Sequence, residues 1–178
     1  MIPHLADTPV LETARLTLRA PRFEDYPAWE AFYRSPRAEF IGGSGNVRDA
    51  WRAFAHVTGM WALRGFAMFV FARRDTGAPI GFAGPWQPID WPEPELGWNV
   101  WSAADEGQGY VFEAASAARD YAYGVLGWTT AVSYIDPGNA RSIALAERLG
   151  CTRDPDAALP EFGGAAHVYR HPAPEGRA

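Results

Sequence analysis

A chain of 178 residues, 48% hydrophobic and 21% charged, is long enough for one globular domain with a full core. Its net charge of −5 lacks the basic footprint of a nucleic-acid binder and mildly favours a cationic partner. The lone cysteine, Cys151, excludes an intrachain disulfide framework and fits a reducing compartment, and the histidines show no metal-ligand spacing.

No window approaches the ~18 apolar residues of a membrane span, and the N-terminus lacks a basic segment followed by an apolar run. The expected location is the cytoplasm, with no nucleic-acid, membrane or metal partner. Eight Trp, ten Phe and seven Tyr are many for this length, which predicts aromatics lining a pocket or interface as well as the core.

Residues 1–9 read as a loose lead-in, and residues 172–178 as a loose tail. Leu11 to Arg19 alternates, with Leu16 and Leu18 on one side and Thr17 and Arg19 on the other, and predicts a half-buried strand ended by Pro21. Arg22 to Tyr33 has helical spacing, closed by Ser35-Pro36. Ile41 to Asn46 is a glycine-rich flexible loop, with Asn46 placed to cap a second helix running to Gly65 through Ala50, Trp51, Phe54, Val57 and Trp61. These two helices suit a flap over a substrate, or a layer that simply packs on a sheet.

Phe66 to Arg73 and Pro79 to Gly84 read as strands joined by an Asp75-Thr76-Gly77 hairpin turn. A loop with two Trp, Asp90 and Glu93 leads to a strand from Glu95 to Trp101. A helix from about Gln108 to Val125 carries an apolar stripe of Val111, Ala114, Ala115, Ala118, Ala122 and Val125, with Gly127 after it. Trp128 to Ile135 is a strand closed by Asp136-Pro137-Gly138. Asn139 caps a short helix to Leu149, Gly150 stops it, and Ala165 to Arg170 is a final strand. The order predicts a single α/β (α+β) domain with a mixed, mostly antiparallel twisted sheet flanked by helices.

The stretch with chemical content is Asp105-Glu106-Gly107-Gln108-Gly109-Tyr110-Val111. Gly107 and Gly109 let backbone N–H groups approach an anion. The helix behind them offers its unpaired first-turn N–H groups and positive dipole end to the same anion. A nicotinamide-type fingerprint is excluded because Phe112 stands where its third glycine belongs, and no phosphate loop ending in Gly-Lys-Ser/Thr occurs.

Taken together, Leu11-Glu12-Thr13-Ala14-Arg15-Leu16-Thr17-Leu18-Arg19 with Phe23-Glu24-Asp25, Glu95-Leu96-Gly97-Trp98, Gly107-Gln108-Gly109-Tyr110 with Glu113-Ala114, Ser133-Tyr134-Ile135, Asn139-Ala140-Arg141-Ser142 and Arg148-Leu149-Gly150 resemble the GNAT acetyltransferase superfamily, in particular its ribosomal-protein (RimJ/RimL-like) branch. The resemblance spans roughly Leu11 to Arg170. It implies acetyl-CoA as co-substrate and an amine acceptor, a protein N-terminus or a small molecule. Its pyrophosphate would lie on the loop with Gly107, Gln108, Gly109, Tyr110 and Val111. The pantetheine arm would run along a splayed strand at Asn99, Val100 and Trp101, where one backbone N–H polarises the thioester carbonyl. Glu106 stands where the family usually has Gln or Arg, and Val111 where it has a small residue. Glu106 beside a pyrophosphate is unfavourable unless it points outward.

Direct transfer to an amine needs a base, oxyanion stabilisation and a proton for the leaving thiolate. Glu95 is the candidate base, the alternative being a carboxylate facing solvent or pairing with an Arg. Asp90 and Glu93 are further bases or cation-recognising groups, with Trp86 and Trp98 beside them on the acceptor side. The resemblance assigns Asn139 and Ser142 to the pantetheine, thiol or phosphate region, and their local roles as helix cap and helix-packing hydroxyl are compatible with that. The family tyrosine that serves as general acid is replaced by Ala146, which leaves Tyr134 as a substitute by location. Cys151 is read as a core residue. The group commonly dimerises, so a homodimer is among the expected partners. The competing reading is a sensor that binds acyl-CoA without transfer.

Overall fold

The structure is a computed structural model that describes residues 5–43, 45–161 and 165–173. The expected loose termini fall largely on residues 1–4 and 174–178, outside the described residues. Strands β1 (Leu11–Glu12), β2 (Leu16–Arg19), β3 (Phe69–Arg73), β4 (Pro79–Trp86), β5 (Glu95–Val100), β6 (Val132–Ile135), β7 (Thr152–Arg153) and β8 (His167–Arg170) form one sheet in the order β1-β2-β3-β4-β5-β6-β8-β7. Every neighbouring pair is antiparallel except β5 and β6. The parallel pair is joined through helix α3 (Tyr110–Gly124), the long crossover that parallel strands require. The expected mixed, mostly antiparallel α/β sheet is what forms.

Helices α1 (Tyr26–Tyr33) and α2 (Val47–Arg64) pack on each other, and their aromatics meet β4: Trp29 and Phe54 lie 5.2 and 6.0 Å from Phe82, which also meets Trp101, just past β5, edge-on at 5.1 Å. Leu96 of β5 points the other way, into Ala122 and Tyr123 of α3. The alternation of β5 therefore assigns its residues to two chemical environments. Helix α4 (Ala140–Arg148) packs on β6.

The observed elements depart from the expected ones where tertiary partners decide. Leu11 to Arg19 is a hairpin and not one strand, because Thr13 folds back, its N–H donating to the Leu16 carbonyl and its hydroxyl accepting from the Leu16 N–H. Strands β3 and β6 begin at Phe69 and Val132, not Phe66 and Trp128. The two excluded aromatics pack on each other at 5.5 Å, apolar but outside the ladder. The segment before the Gly42-Gly43 turn is a 3-10 helix, Pro36–Ile41, started by Ser35 Oγ accepting from the Arg37 N–H. The 22–33 stretch is a 3-10 turn at Phe23–Asp25 followed by α1, with Pro27 in its first turn. Strand β7 has no signal in its two-residue sequence. Asn46 and Asn139 cap α2 and α4 as their positions predict.

Asp25 is 2% exposed, and Arg19 of β2 grips it with two 2.7 Å bonds, while the Arg22 N–H adds a third contact. This enclosed pair fixes the entry into α1.

Candidate active site

Strands β5 and β6 share a single register pair, Glu95 with Val132, and then no longer pair. Just past it, Ser133 Oγ–H donates to the Leu96 carbonyl at 2.6 Å and lies 3.0 Å from His171 Nε2. The serine proton is committed to the carbonyl, so His171 is the Nε2–H tautomer donating to Ser133. Burial pushes the imidazole pKa down to about 3, which keeps it neutral. This buried chain rivets the sheet where it opens, and nothing local in the sequence signalled it.

Beyond the rivet the free edge of β5 forms one wall of a groove of about 1060 Å³. The groove collects Trp98, Asn99 and Val100 from β5, Gly107, Gly109, Tyr110 and Val111 from the start of α3, and Asn139 and Ser142 from the start of α4. Most of the residues predicted to face the cofactor are thus brought together, joined by Trp98, which was expected on the acceptor side, while Gln108 is not among the lining residues and its carbonyl accepts from Arg15. Trp101 is not among the lining residues and packs under Trp29 at 5.9 Å. Asn99 Oδ1 accepts from the Trp101 indole at 2.8 Å and from the Phe82 N–H at 3.2 Å, so its side chain braces the strand end. Trp98 Nε1 donates to Ser142 Oγ at 3.3 Å, joining β5 to α4 across the opening. Asn139 Oδ1 accepts from the Ser142 N–H.

Gly107 and Gly109 both adopt the left-handed region, at φ 69° and 77°. Gly109 is the N-cap of α3 and has no side chain to occupy the first-turn N–H groups, which leaves them for a ligand. Two arginines outside the motif hold the loop in this shape. Arg15 donates to the Gln108 carbonyl at 2.9 Å and to Glu113 at 2.7 Å. Arg73 pairs with Asp105 and donates to Tyr110 Oη at 3.1 Å, and the two guanidinium groups lie 4.5 and 5.0 Å from the Tyr110 ring centroid. Arg15 and Glu113 are 98 positions apart, so only the folded chain shows this brace.

Glu95, Tyr134, Trp86, Asp90 and Glu93 do not line the groove. The Glu95 side chain lies on the opposite face of β5 from Leu96, where a Cβ at Gly97 would lie 3.7 Å from Glu95 Oε1 and 2.5 Å from Met68 Cε. Burial pushes its pKa up to about 7, against hydrogen bonds from the Trp91 indole and the Tyr134 backbone that favour the anion. Of the two structural alternatives posed for Glu95, facing solvent or pairing with an Arg, neither occurs: the residue is 9% exposed and its side-chain partner is Trp91. Aromatics continue outward from it, Trp91 to Tyr134 at 6.5 Å, Trp91 to Trp86 at 6.4 Å and Trp86 to His56 at 4.9 Å. The Tyr134 pKa is pushed up to about 12 by burial and by the nearby Glu93 and Glu95 carboxylates. Asp90 is exposed. Glu93 is held by Arg170 through two bonds of 2.7 and 2.9 Å, with Asp154 and Thr130 completing the cluster. Cys151 is buried among Ala115, Ala146 and Leu149, and burial pushes its pKa up to about 11, the behaviour of a core thiol.

Glu106 bridges the groove mouth. Its carboxylate meets Arg37 at 2.6 Å and Arg141 at 2.9 Å. With Arg148 stacked 4.1 Å over Phe112, three arginines line the groove beside the glycine loop. An elongated ligand with an anionic end fits this combination of free N–H groups, arginines and an open strand edge. Among the described residues no His, Cys, Asp and Glu group could hold a metal ion, and no helix is long and apolar enough to cross a membrane.

The family model described as acetyltransferase (GNAT) domain matches residues 15–152. Among similar solved structures is an acetyltransferase from Agrobacterium tumefaciens str. C58, 38% identical over 96% of this chain and 98% of that one, with a TM-score of 0.84. The fold is also shared with RimL, a ribosomal L7/L12 alpha-N-protein acetyltransferase, at 16% identity, covering 96% of this chain and 97% of that one, TM-score 0.69. It is shared too with the microcin C7 self-immunity acetyltransferase MccE, solved in complex with acetyl-CoA and AMP, at 17% identity, covering 89% of this chain and 92% of that one, TM-score 0.66. A match over most of the chain, on a sheet that opens beside a glycine-capped helix, places this protein in the GNAT family: it is an acetyltransferase.

Proposed function

We propose that the enzyme moves an acetyl group from acetyl-CoA to a primary amine by direct attack, with both substrates held at once and the whole chain acting as one catalytic domain. The observation that carries this reading is the position of Glu95, an enclosed carboxylate titrating near neutrality at the point where β5 and β6 part. Bound acetyl-CoA supplies an acetyl group already activated as a thioester. The residues present fit it, as the MccE complex with acetyl-CoA on the same fold supports. Gly107, Gln108, Gly109, Tyr110 and Val111 offer backbone N–H groups to the pyrophosphate. The free edge at Asn99 and Val100 aligns the pantetheine arm, and Trp101 anchors that strand end in the core. Asn139 sets the start of α4, and Ser142 Oγ, held by Trp98, marks the region of the thiol.

Glu95 takes the proton of the incoming ammonium, directly or through water, so that the amine attacks in its neutral form. Tyr134 Oη keeps its proton across the working range and is the donor to the departing sulfur. The aromatic run from Trp86 to Trp91, with Asp90 beside it, receives the acceptor's cationic or apolar body. Glu93, engaged by Arg170, holds that approach in place. The shared fold with RimL supports a protein N-terminus as one acceptor class beside small amines. Composition and charge support a cytoplasmic location with no nucleic-acid or membrane partner, and the family resemblance supports a homodimer.

The test is thiol release from acetyl-CoA across a panel of small amines and short peptides with different first residues. Acetylated product from one class supports the reading. Tight CoA binding with no release from any acceptor would replace it with the acyl-CoA sensor.

A further inference from the structure

Three charged side chains at the groove mouth come from distant parts of the chain: Arg37 in the turn before α2, Glu106 just ahead of Gly107, and Arg141 in the first turn of α4. Arg37 is well anchored, since its Nη2 also donates to the Val100 carbonyl at 3.1 Å and its side chain is 26% exposed. Its Nε is buried and without an acceptor. Arg141 is different: its side chain is 80% exposed and its carboxylate partner is Glu106.

We infer that Glu106 is an internal stand-in for the cofactor's phosphate, exchanged for it on binding and restored on release. The inference rests on the acetyl-CoA reading of the groove. A carboxylate and a phosphate present arginine with the same paired acceptor oxygens, but the phosphate carries more charge. When the cofactor's anionic end settles on the loop beside Glu106, Arg141 swings from the carboxylate to a phosphate oxygen. Arg37 stays, held by Val100, and keeps Glu106 neutralised. After transfer, Glu106 recaptures Arg141 and the spent CoA leaves more readily. Glu106 thus lowers cofactor affinity and speeds product release, which gives a physical role to a residue whose charge otherwise conflicts with its site. No bond is made or broken in this step beyond the exchange of ion pairs.

The experiment measures CoA affinity by calorimetry and CoA dissociation by stopped-flow displacement, for the wild type, Glu106→Gln, Arg141→Ala and the double variant. At about 50 mM salt Glu106→Gln is expected to bind CoA about five- to twenty-fold more tightly and to release it correspondingly more slowly. The gain should shrink at about 300 mM salt, where screening is stronger. Arg141→Ala should weaken binding more in the Glu106→Gln background than in the wild type, because there the arginine has no carboxylate to leave. Equal or weaker CoA binding by Glu106→Gln at low salt, with a ligand-free melting temperature close to wild type, overturns the exchange while leaving the acetyl-CoA reading intact. Absence of CoA binding by all four proteins overturns both. Should Glu106→Gln fail to fold, Glu106→Asp, which keeps the charge but shortens the reach to Arg141, is expected to tighten CoA binding in the same direction, and no change or weaker binding there overturns the exchange.

Discussion

The Trp91 indole donates a 2.6 Å hydrogen bond to Glu95 Oε2, so a residue of the β4–β5 loop stabilises the anion of a carboxyl group that burial otherwise keeps protonated. The two influences oppose each other, and burial wins, leaving the group near pH 7. That is the range in which a base both exists unprotonated and retains appreciable proton affinity. Trp91 and Glu95 are four positions apart, close enough for one local segment to set the working pH.

For the wild type, kcat/KM should rise with pH and level off above about 7, the value to which the Glu95 carboxyl is pushed. Glu95→Gln should lower the plateau by about a hundredfold or more and flatten the rising limb. A variant with wild-type rates across pH would remove Glu95 from the mechanism.

Replacing Trp91 by Phe keeps the ring and removes the donor. With the bond that favours the anion gone, the Glu95 pKa moves further up, and the rising limb of the pH–rate curve should move to higher pH. A limb that stays in place would mean that backbone contacts, not the indole, set the titration.

The same burial has a stability consequence. Glu95 is raised from an ordinary 4.5 to about 7, so between those values the native state holds a proton that the unfolded chain has lost. Stability from this group is present below pH 4.5 and is lost as pH rises through 7, by about 3 kcal/mol. Urea unfolding of wild type and Glu95→Gln at pH 5 and at pH 8 should show the variant gaining on the wild type at the higher pH.

Asp25→Ala leaves Arg19, whose side chain is 11% exposed, without its carboxylate. A loss of about 3 kcal/mol in stability is expected, large for one side chain because a charge is stranded and not merely unpaired at a surface. Denaturant unfolding measures it, and a loss below about 1 kcal/mol would place the pair with ordinary surface ion pairs.

Gly109→Ala puts a Cβ on a residue at φ 77°, 3.5 Å from Arg15 Nη2. Left-handed strain of about 1–2 kcal/mol is expected to open the loop and raise the Kd for CoA about tenfold, with kcat little changed. Calorimetry against CoA, with steady-state kinetics alongside, separates that result from a general loss of fold.

What the sequence by itself determined follows from local physics. The glycine pair before an alanine-rich helix, the Asn46 and Asn139 caps and the alternation in β5 depend on backbone conformation and on neighbours a few positions away, so spacing alone reveals them. The order of elements then yielded the mixed sheet. The fate of the acidic residues was decided only in three dimensions. Glu93 meets Arg170 across 77 positions, and Glu106 meets Arg141 across 35. Glu95 rises to about 7 because the fold buries it, an effect that its hydrogen bonds from Trp91 and the Tyr134 backbone only partly offset. Nothing in the three sequence contexts separates a locked carboxylate, a bridging one and a candidate base. Desolvation and ion pairing are sums over whatever the fold brings within a few ångströms, and local periodicity carries no record of that sum.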